Sequence, residues 1–181
     1  PLPLRTTPSG PEHAFNLAYS IREINEKPLL FLSHIGNYEL ANTFAFETAT
    51  WDTLYEYAAN HDLLPDEEEY WGICYDDTLI THPDKCRFYA CLTINAPVKS
   101  HLTSRIKSMT LPRQLYAVYC HKGKYTLLDT FYDAILKNLP PNYLLGESFI
   151  LERYLNSPRD TPADELLTEV WLPIKAIPTK I

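Results

Sequence analysis

No stretch of this 181-residue chain approaches the ~20 consecutive apolar residues that a bilayer-spanning helix needs, and none has the basic, apolar, small-residue order of a secretory signal. A cytoplasmic protein that does not enter a membrane is the expectation. Positive charge is short too: 16 Lys and Arg face 23 Asp and Glu, giving a net charge of −7 and a pI near 5.3. Duplex DNA is held through a Lys/Arg-rich face that neutralises phosphates, so this segment by itself is not expected to bind nucleic acid. The four cysteines, Cys74, Cys86, Cys91 and Cys120, form no Cys-x-x-Cys pair and lie in or beside apolar runs. There a free cysteine behaves as a small buried hydrophobe. The six histidines form no His-x-x-x-His pair on a helical pattern. Neither a metal nor a cofactor is expected. A Gly-x-Ser-x-Gly elbow and a Ser-His-Asp set are also missing. The only methionine is the internal Met109 and the chain opens on Pro1, which reads as a piece of something longer.

What is present is a repeat. His34 to Phe44, HIGNYELANTF, recurs at His121 to Phe131 as HKGKYTLLDTF, with six of eleven positions identical. Each copy follows an apolar, aromatic run and precedes a helical pattern, so each reads as a strand, a tight glycine turn and a helix entry. Similar segments follow both copies. Tyr75-Asp76-Asp77 and Tyr154-Leu155-Asn156 stand 79 positions apart, and a strand-like run closes each half at Ile94 and Ile174. The pattern is α+β: a duplicated strand-helix-strand-strand unit forming one pseudo-twofold domain. At this length, with 45% apolar residues, one sizeable core is expected.

In order, residues 1–13 are a Pro/Thr/Ser-rich linker or mobile arm, and 14–175 form the domain, with repeats at about 14–95 and 113–175. Residues 176–181 are a tail. Ala14 to Ile24 and Pro28 to His34 read as one long bent strand or two short ones. Helix one is expected over about Leu40 to Asn60, with Ala41, Phe44, Thr48, Trp51, Tyr55 and Ala58 on one face. An aromatic stripe at that spacing is core far more often than a ligand box, and Phe44 and Trp51 are assigned to the core. The acidic stretch His61 to Tyr70 is a solvated loop. Strands follow at Trp71 to Tyr75 and Cys86 to Asn95. Copy two predicts a strand at Gln114 to His121 and helix two at about Thr126 to Asn138, entered through a capping-like Thr126-x-x-Asp129. Helix two carries a face of Leu128, Phe131, Tyr132, Ile135 and Leu139, and strands follow at Glu147 to Leu155 and Leu166 to Lys175. The antiparallel sheet would bear both helices on one face and leave a ligand cleft on the other.

Superposing the copies places Ile73 against Glu152, Tyr75 against Tyr154, Tyr89 against Glu169 and Cys91 against Trp171. That alignment gathers Trp71, Tyr75, Tyr89, Glu152, Tyr154 and Trp171 on the helix-free face. Aromatic faces supply dispersion and cation–π attraction, and a carboxylate supplies counter-charge, so the set suits a lipophilic cation or a planar aromatic. On residues alone, Glu152 as a plain surface carboxylate competes evenly with that reading. Glu169 is the better solvated of the two.

Tyr75 to Ile94, YDDTLITHPDKCRFYACLTI, resembles the motif of the gyrase-inhibitor-like (GyrI-like) small-molecule-binding domains. So do Leu151 to Pro158, LERYLNSP, Thr168 to Lys175, TEVWLPIK, and the paired HxGxY turns. The resemblance covers roughly residues 14 to 175. It implies the duplicated fold and puts the family's pocket glutamate on Glu152. Arg153 departs from the pattern, where the family usually has an apolar residue, and this suggests a looser or edge-exposed strand. Such domains commonly follow the helix-turn-helix module of bacterial AraC-type transcription regulators. The resemblance therefore implies an effector-binding domain with a small-molecule effector and an upstream DNA-binding domain as partners. Two alternatives stand beside it. One is a free-standing hydrolase of electrophilic small molecules, with Glu152 activating water and a tyrosine as partner acid; otherwise no catalytic residue is expected. The other is a protein-binding module, for which the acidic patch Asp66 to Glu69 is the only support.

Overall fold

The computed structural model describes residues 14–38, 41, 45, 49–76, 80–98 and 102–178. Nine strands and two helices occur among them: β1 (Tyr19–Ile24), β2 (Lys27–Ile35), α1 (Thr50–Asn60), β3 (Tyr70–Cys74), β4 (Arg87–Thr93), β5 (Lys107–Leu111), β6 (Gln114–Lys122), α2 (Leu128–Leu136), β7 (Tyr143–Leu145), β8 (Ile150–Tyr154) and β9 (Leu167–Ala176). All pairings are antiparallel, in the order β1-β6-β9-β8-β3-β4-β2-β5, with β7 added to the far end of β9.

β2 and β6 are apolar on both sides because both sides are covered. In β2, Leu30 and Leu32 face α1, while Leu29 and Phe31 face the opposite core. In β6, Ala117 and Tyr119 face α2, while Tyr116 and Val118 face that same opposite core. The core on the helix-free side joins Ile24, Tyr116 and Val118 from one end of the sheet to Leu29, Phe31 and Leu111 from the other. The sheet has curled until its ends meet, and its inner side is packed solid.

α1 seals the first half with Trp51, Leu54 and Ala58, spaced by three and four. Leu54 takes the place expected for Tyr55, which is exposed. Ala41 is buried as expected, whereas Phe44 and Thr48 lie outside the described residues, as do residues 1–13. α2 buries Leu128, Phe131 and Ile135, and its N-cap Leu127 makes no side-chain capping bond, so the predicted Thr126 cap is not used. Cys86 and Cys91 are buried as predicted, but Cys120 is exposed.

The duplication is visible bond by bond. Gly36 N–H donates to the Cys86 carbonyl at 2.8 Å, and Gly123 N–H to the Leu166 carbonyl at 2.9 Å. Both glycines have positive φ, +156° and +138°, in the region that a side chain disfavours. Tyr75 N–H donates to the Arg87 carbonyl and Leu155 N–H to the Leu167 carbonyl, each at 3.0 Å. The Asp76 carboxylate accepts Arg87 N–H and the Asn156 amide oxygen accepts Leu167 N–H, each at 2.8 Å. Single 3₁₀ turns stand at Pro83–Lys85 and Ala163–Glu165.

The glycine turns stand 87 positions apart, but the Tyr75/Leu155, Asp76/Asn156, Cys86/Leu166 and Arg87/Leu167 equivalences fix the following segments at 80 positions, one more than the sequence alignment of the Tyr75 and Tyr154 segments. Gly72 is therefore the counterpart of Glu152, Cys74 of Tyr154 and Tyr75 of Leu155. Gly72 and Glu152 also pair directly where the halves meet. A one-residue slip in a strand exchanges its two faces. Glu152 and Tyr154 consequently stand on the helix-bearing side, and the predicted cleft on the other side is occupied by packed core.

Candidate ligand-binding site

Glu152 sits at the seam of the molecule, flanked in the sheet by Gly72 of β3 and Val170 of β9, and is 3% exposed. Both carboxyl oxygens accept phenol hydrogen bonds. Tyr132 of α2 donates to Oε1 at 2.8 Å, and Tyr154, two residues along the same strand, donates to Oε2 at 2.7 Å. Two O–H donors hold a carboxylate inside an apolar layer, where burial without hydrogen bonds would cost several kcal/mol.

Gly72 makes this geometry possible. A Cβ there would lie 2.5 Å from the Tyr154 hydroxyl and 2.6 Å from Phe88 Cζ. The carboxylate's own pseudo-symmetric position is thus empty of side chain, which leaves one charge on the seam instead of two repelling each other.

Rings enclose the group. Tyr154 makes edge contacts with Trp51 of α1 at 5.8 Å and Tyr125 at 5.9 Å between ring centroids, and Trp51 also meets Tyr70 at 5.6 Å. The thiol of Cys74 lies close to Tyr132 and Glu152. Burial, then the Glu152 charge, raises the pKa values of Tyr132, Tyr154 and Cys74 well above their ordinary values, so all three stay protonated at neutral pH. Tyr125 is shifted upward for the same two reasons.

His121, 2% exposed, uses Nε2–H to hold the Lys124 carbonyl at 3.1 Å and stacks at a tilt on Phe131. Its Nδ1 and the Oγ1 of Thr168, its partner across the β6–β9 ladder, are buried without protein hydrogen bonds. Burial depresses the His121 pKa, against weaker support for the cation from the Lys124 carbonyl and Glu152. Among the described residues no three His, Cys, Asp or Glu side chains stand together as a metal site.

The six residues predicted to share one face divide into three groups. Glu152 and Tyr154 are together at the seam. Trp71 and Trp171 are buried on the inner side of the sheet, with ring centroids 5.1 Å apart and indole N–H groups donating to Glu69 at 3.3 Å and Glu169 at 3.1 Å. Tyr75 and Tyr89 lie on the same helix-free side, as predicted, at its more open end, stacked with the buried Phe31 and with Phe149 and capped by Arg87 over the Tyr75 ring at 4.1 Å.

Arg153 also faces inward. It reaches Glu69 at 3.0 Å and Glu169 at 3.6 Å, lies over Trp71, and shares these carboxylates with Lys27 and Arg22. It occupies the middle of a central strand and neutralises two inner carboxylates, so the expectation of a loose edge there is corrected. Glu169, expected to be the better solvated of the two glutamates, is 7% exposed against 3% for Glu152, so both are buried. Tyr132, Tyr125, Trp51, Cys74 and His121 were not singled out as site residues by sequence. The signal that reaches them is the 80-position register, which turns Glu152 towards α2.

A carboxylate wrapped in tyrosines between two helices, on a duplicated and curled antiparallel sheet, is the architecture to compare with known proteins. The model for the GyrI-like small molecule binding domain matches residues 17–175. The chain belongs to the GyrI-like family. No curated protein matches it significantly.

Among solved structures, this GyrI-like domain is similar to EcmrR in its complex with DNA, with a TM-score of 0.69 and 16% identity over 88% of this chain, and it spans 58% of the EcmrR chain. The isolated EcmrR C-terminal domain is covered to 98%, with a TM-score of 0.65 and 16% identity over 88% of this chain. The structure of SAV2435 bound to tetraphenylphosphonium gives 0.53 at 16% identity over 87% of this chain and 94% of its own. A hydrolase from Listeria innocua gives 0.59 at 14% identity over 90% and 94%. No helix among the described residues is long and apolar enough to cross a membrane.

Proposed function

We propose that this GyrI-like domain binds a lipophilic aromatic cation against Glu152, and that binding is the sensing step of a bacterial, cytoplasmic AraC-type transcription regulator. The observation that carries the reading is the 3% exposed carboxylate held by two neutral phenols among Trp51, Tyr125 and Tyr154. A cation entering between α1 and α2 competes for the same oxygens, and the rings supply its cation–π and dispersion contacts. The tyrosine hydroxyls exchange one partner for another, and that exchange couples ligand to the packing of both helices.

Two similarities support the reading: SAV2435 is bound to tetraphenylphosphonium and EcmrR to DNA in their structures. In the proposed full-length protein, residues 1–13 would connect the domain to its DNA-binding partner. Trp51 is the natural reporter, because it touches Tyr154 on the binding side, whereas Trp171 lies on the other side.

The test is titration with tetraphenylphosphonium and with neutral triphenylphosphine oxide, followed by calorimetry and tryptophan emission. Saturable quenching by the cation, with affinity at least about tenfold above that of the neutral compound, is expected from one charge-assisted contact. Equal affinity for both contradicts the reading.

The hydrolase alternative has an observation of its own. Glu152 is hydrogen-bonded to neutral Tyr132 and Tyr154, the acid partners that a lone carboxylate base needs. Turnover of an electrophilic substrate that is lost in both Glu152→Gln and Tyr132→Phe would favour it over pure sensing.

A further inference from the structure

A cavity of about 550 Å³ lies in the first half, away from the seam. Its floor is apolar, with Leu32 of β2, Ala45, Phe88 and Ala90 of β4 contributing, and it is bounded further by Thr50 and Thr53 of α1. Ser104 and Arg105, just before β5, and Lys107 at its start line another side. The described lining includes no Asp or Glu, and neither Glu152 nor the two tyrosines bound to it reach this wall.

The cations are unusual for this chain. With 23 acidic residues against 16 basic ones, most described Lys and Arg side chains are ion-paired, among them Arg22, Lys27, Arg87, Arg153 and Arg159. Arg105 and Lys107 are exposed and have no carboxylate partner among the described residues. An acidic protein that leaves two neighbouring cations unanswered beside a cavity whose lining is apolar on one side and carries Ser33, His34, Thr50, Thr53 and Ser104 elsewhere keeps a local positive potential there. Walls of low dielectric concentrate such a potential in the opening. The volume falls in the range of small-molecule pockets, roughly 300–1,000 Å³.

We infer that this cavity is a second ligand site of opposite charge preference, taking an amphipathic organic carboxylate whose apolar body lies on Leu32, Phe88 and Ala90 and whose head is drawn to Arg105 and Lys107. Phe88 gives the two sites a shared wall. Its ring lines the cavity and also touches the space above Gly72 that Tyr154 fills on its way to Glu152. An occupant pressing on Phe88 bears on the packing beneath Tyr154, so carboxylate and cation binding are coupled through one ring.

The experiment is calorimetric titration with 2-naphthoate, 2-naphthylmethanol and 2-naphthylmethylammonium, which share one body and differ in charge. Naphthoate is expected to bind about tenfold or more tighter than either other probe, as one or two charge-assisted contacts require, and to weaken as salt is raised. In the double variant Arg105→Ala/Lys107→Ala, both changes fall on exposed side chains, so circular dichroism stays unchanged while the naphthoate preference disappears. Glu152→Gln leaves naphthoate affinity as it was, and this separates the cavity from the seam site. Failure of the seam site to bind cations leaves these expectations standing. No preference for naphthoate, retention of the preference in the double variant, or its loss in Glu152→Gln overturns the proposal.

Discussion

At the scale of single residues, Gly72 decides as much as Glu152 does. The two are equivalent by the repeat and opposite each other in the sheet, and the first half offers no side chain where the second offers a carboxylate. Tyr154 occupies the space so released, and its hydroxyl reaches Glu152. Gly72→Ala would place a carbon 2.5 Å from that hydroxyl and 2.6 Å from the Phe88 ring, closer than real contacts allow. The ring and the phenol must both yield, so a loss of about 1–3 kcal/mol is expected, as for other overpacked cores. Urea unfolding followed by tryptophan emission measures it, and a midpoint equal to the parent's would show that Gly72 is not tightly framed. Phenylalanine at position 154 would remove the closer of the two clashes while leaving the Phe88 contact.

At the scale of elements, each glycine turn is anchored by aromatic and histidine side chains. In the first copy, Tyr38 donates its hydroxyl to the Arg87 carbonyl at 2.9 Å and accepts Asp76 N–H at 2.8 Å, locking the end of β3 to the start of β4. In the second copy, His121 at the end of β6 holds the Lys124 carbonyl and leans over Gly123. Its folded pKa lies below the ordinary value of 6.5, so the folded chain binds fewer protons than the unfolded chain once the pH drops below about 6.5. That contribution to stability is complete above about pH 6.5 and is lost as pH falls through the lowered folded value. Urea midpoints measured from pH 8 to pH 5 should decline, and His121→Gln should flatten part of the decline. A slope identical in the variant would contradict the assignment.

The same elements show where sequence reading works and where it stops. β2, β4, β6, β8 and β9 carry apolar alternation or continuous apolar runs, and their positions follow from pattern to within a few residues. β5 and β7 are short edge segments, the mixed Lys107–Leu111 and the three-residue Tyr143–Leu145, with too little periodicity to announce a strand. The site was half legible. Glu152 and Tyr154 share a face through simple alternation, but which face depends on the register between the halves. The similar look of Tyr75-Asp76 and Tyr154-Leu155 suggested 79 positions, whereas the hydrogen bonds of Asp76 and Asn156 require 80. That single step moves the glutamate from the core of two tryptophans to the layer beneath two helices.

For the whole molecule, the exchange of leading strands explains why two repeats make one body. β1 precedes β2 in the chain but pairs with β6, and β5 precedes β6 but pairs with β2. Each half completes the edge of the other, and the inner core between them draws on both. The Asp52–Arg159 pair, at 2.6 and 2.7 Å, adds a tie from α1 to the loop after β8, though both side chains are about half exposed and solvent screens such a pair strongly. The seam through Gly72 and Glu152 is where the two halves pair in the sheet, and the carboxylate held by Tyr132 and Tyr154 lies on it.

The most direct test of the account is the affinity of tetraphenylphosphonium for the parent domain and for Glu152→Gln, measured side by side with neutral triphenylphosphine oxide. The substitution keeps the shape and removes the charge. A loss of roughly 1–3 kcal/mol for the cation, with little change for the neutral compound, is the predicted result. Unchanged cation binding in the variant, or an equal loss for both ligands, would contradict the claim that the Glu152 carboxylate is what this domain presents to its ligand.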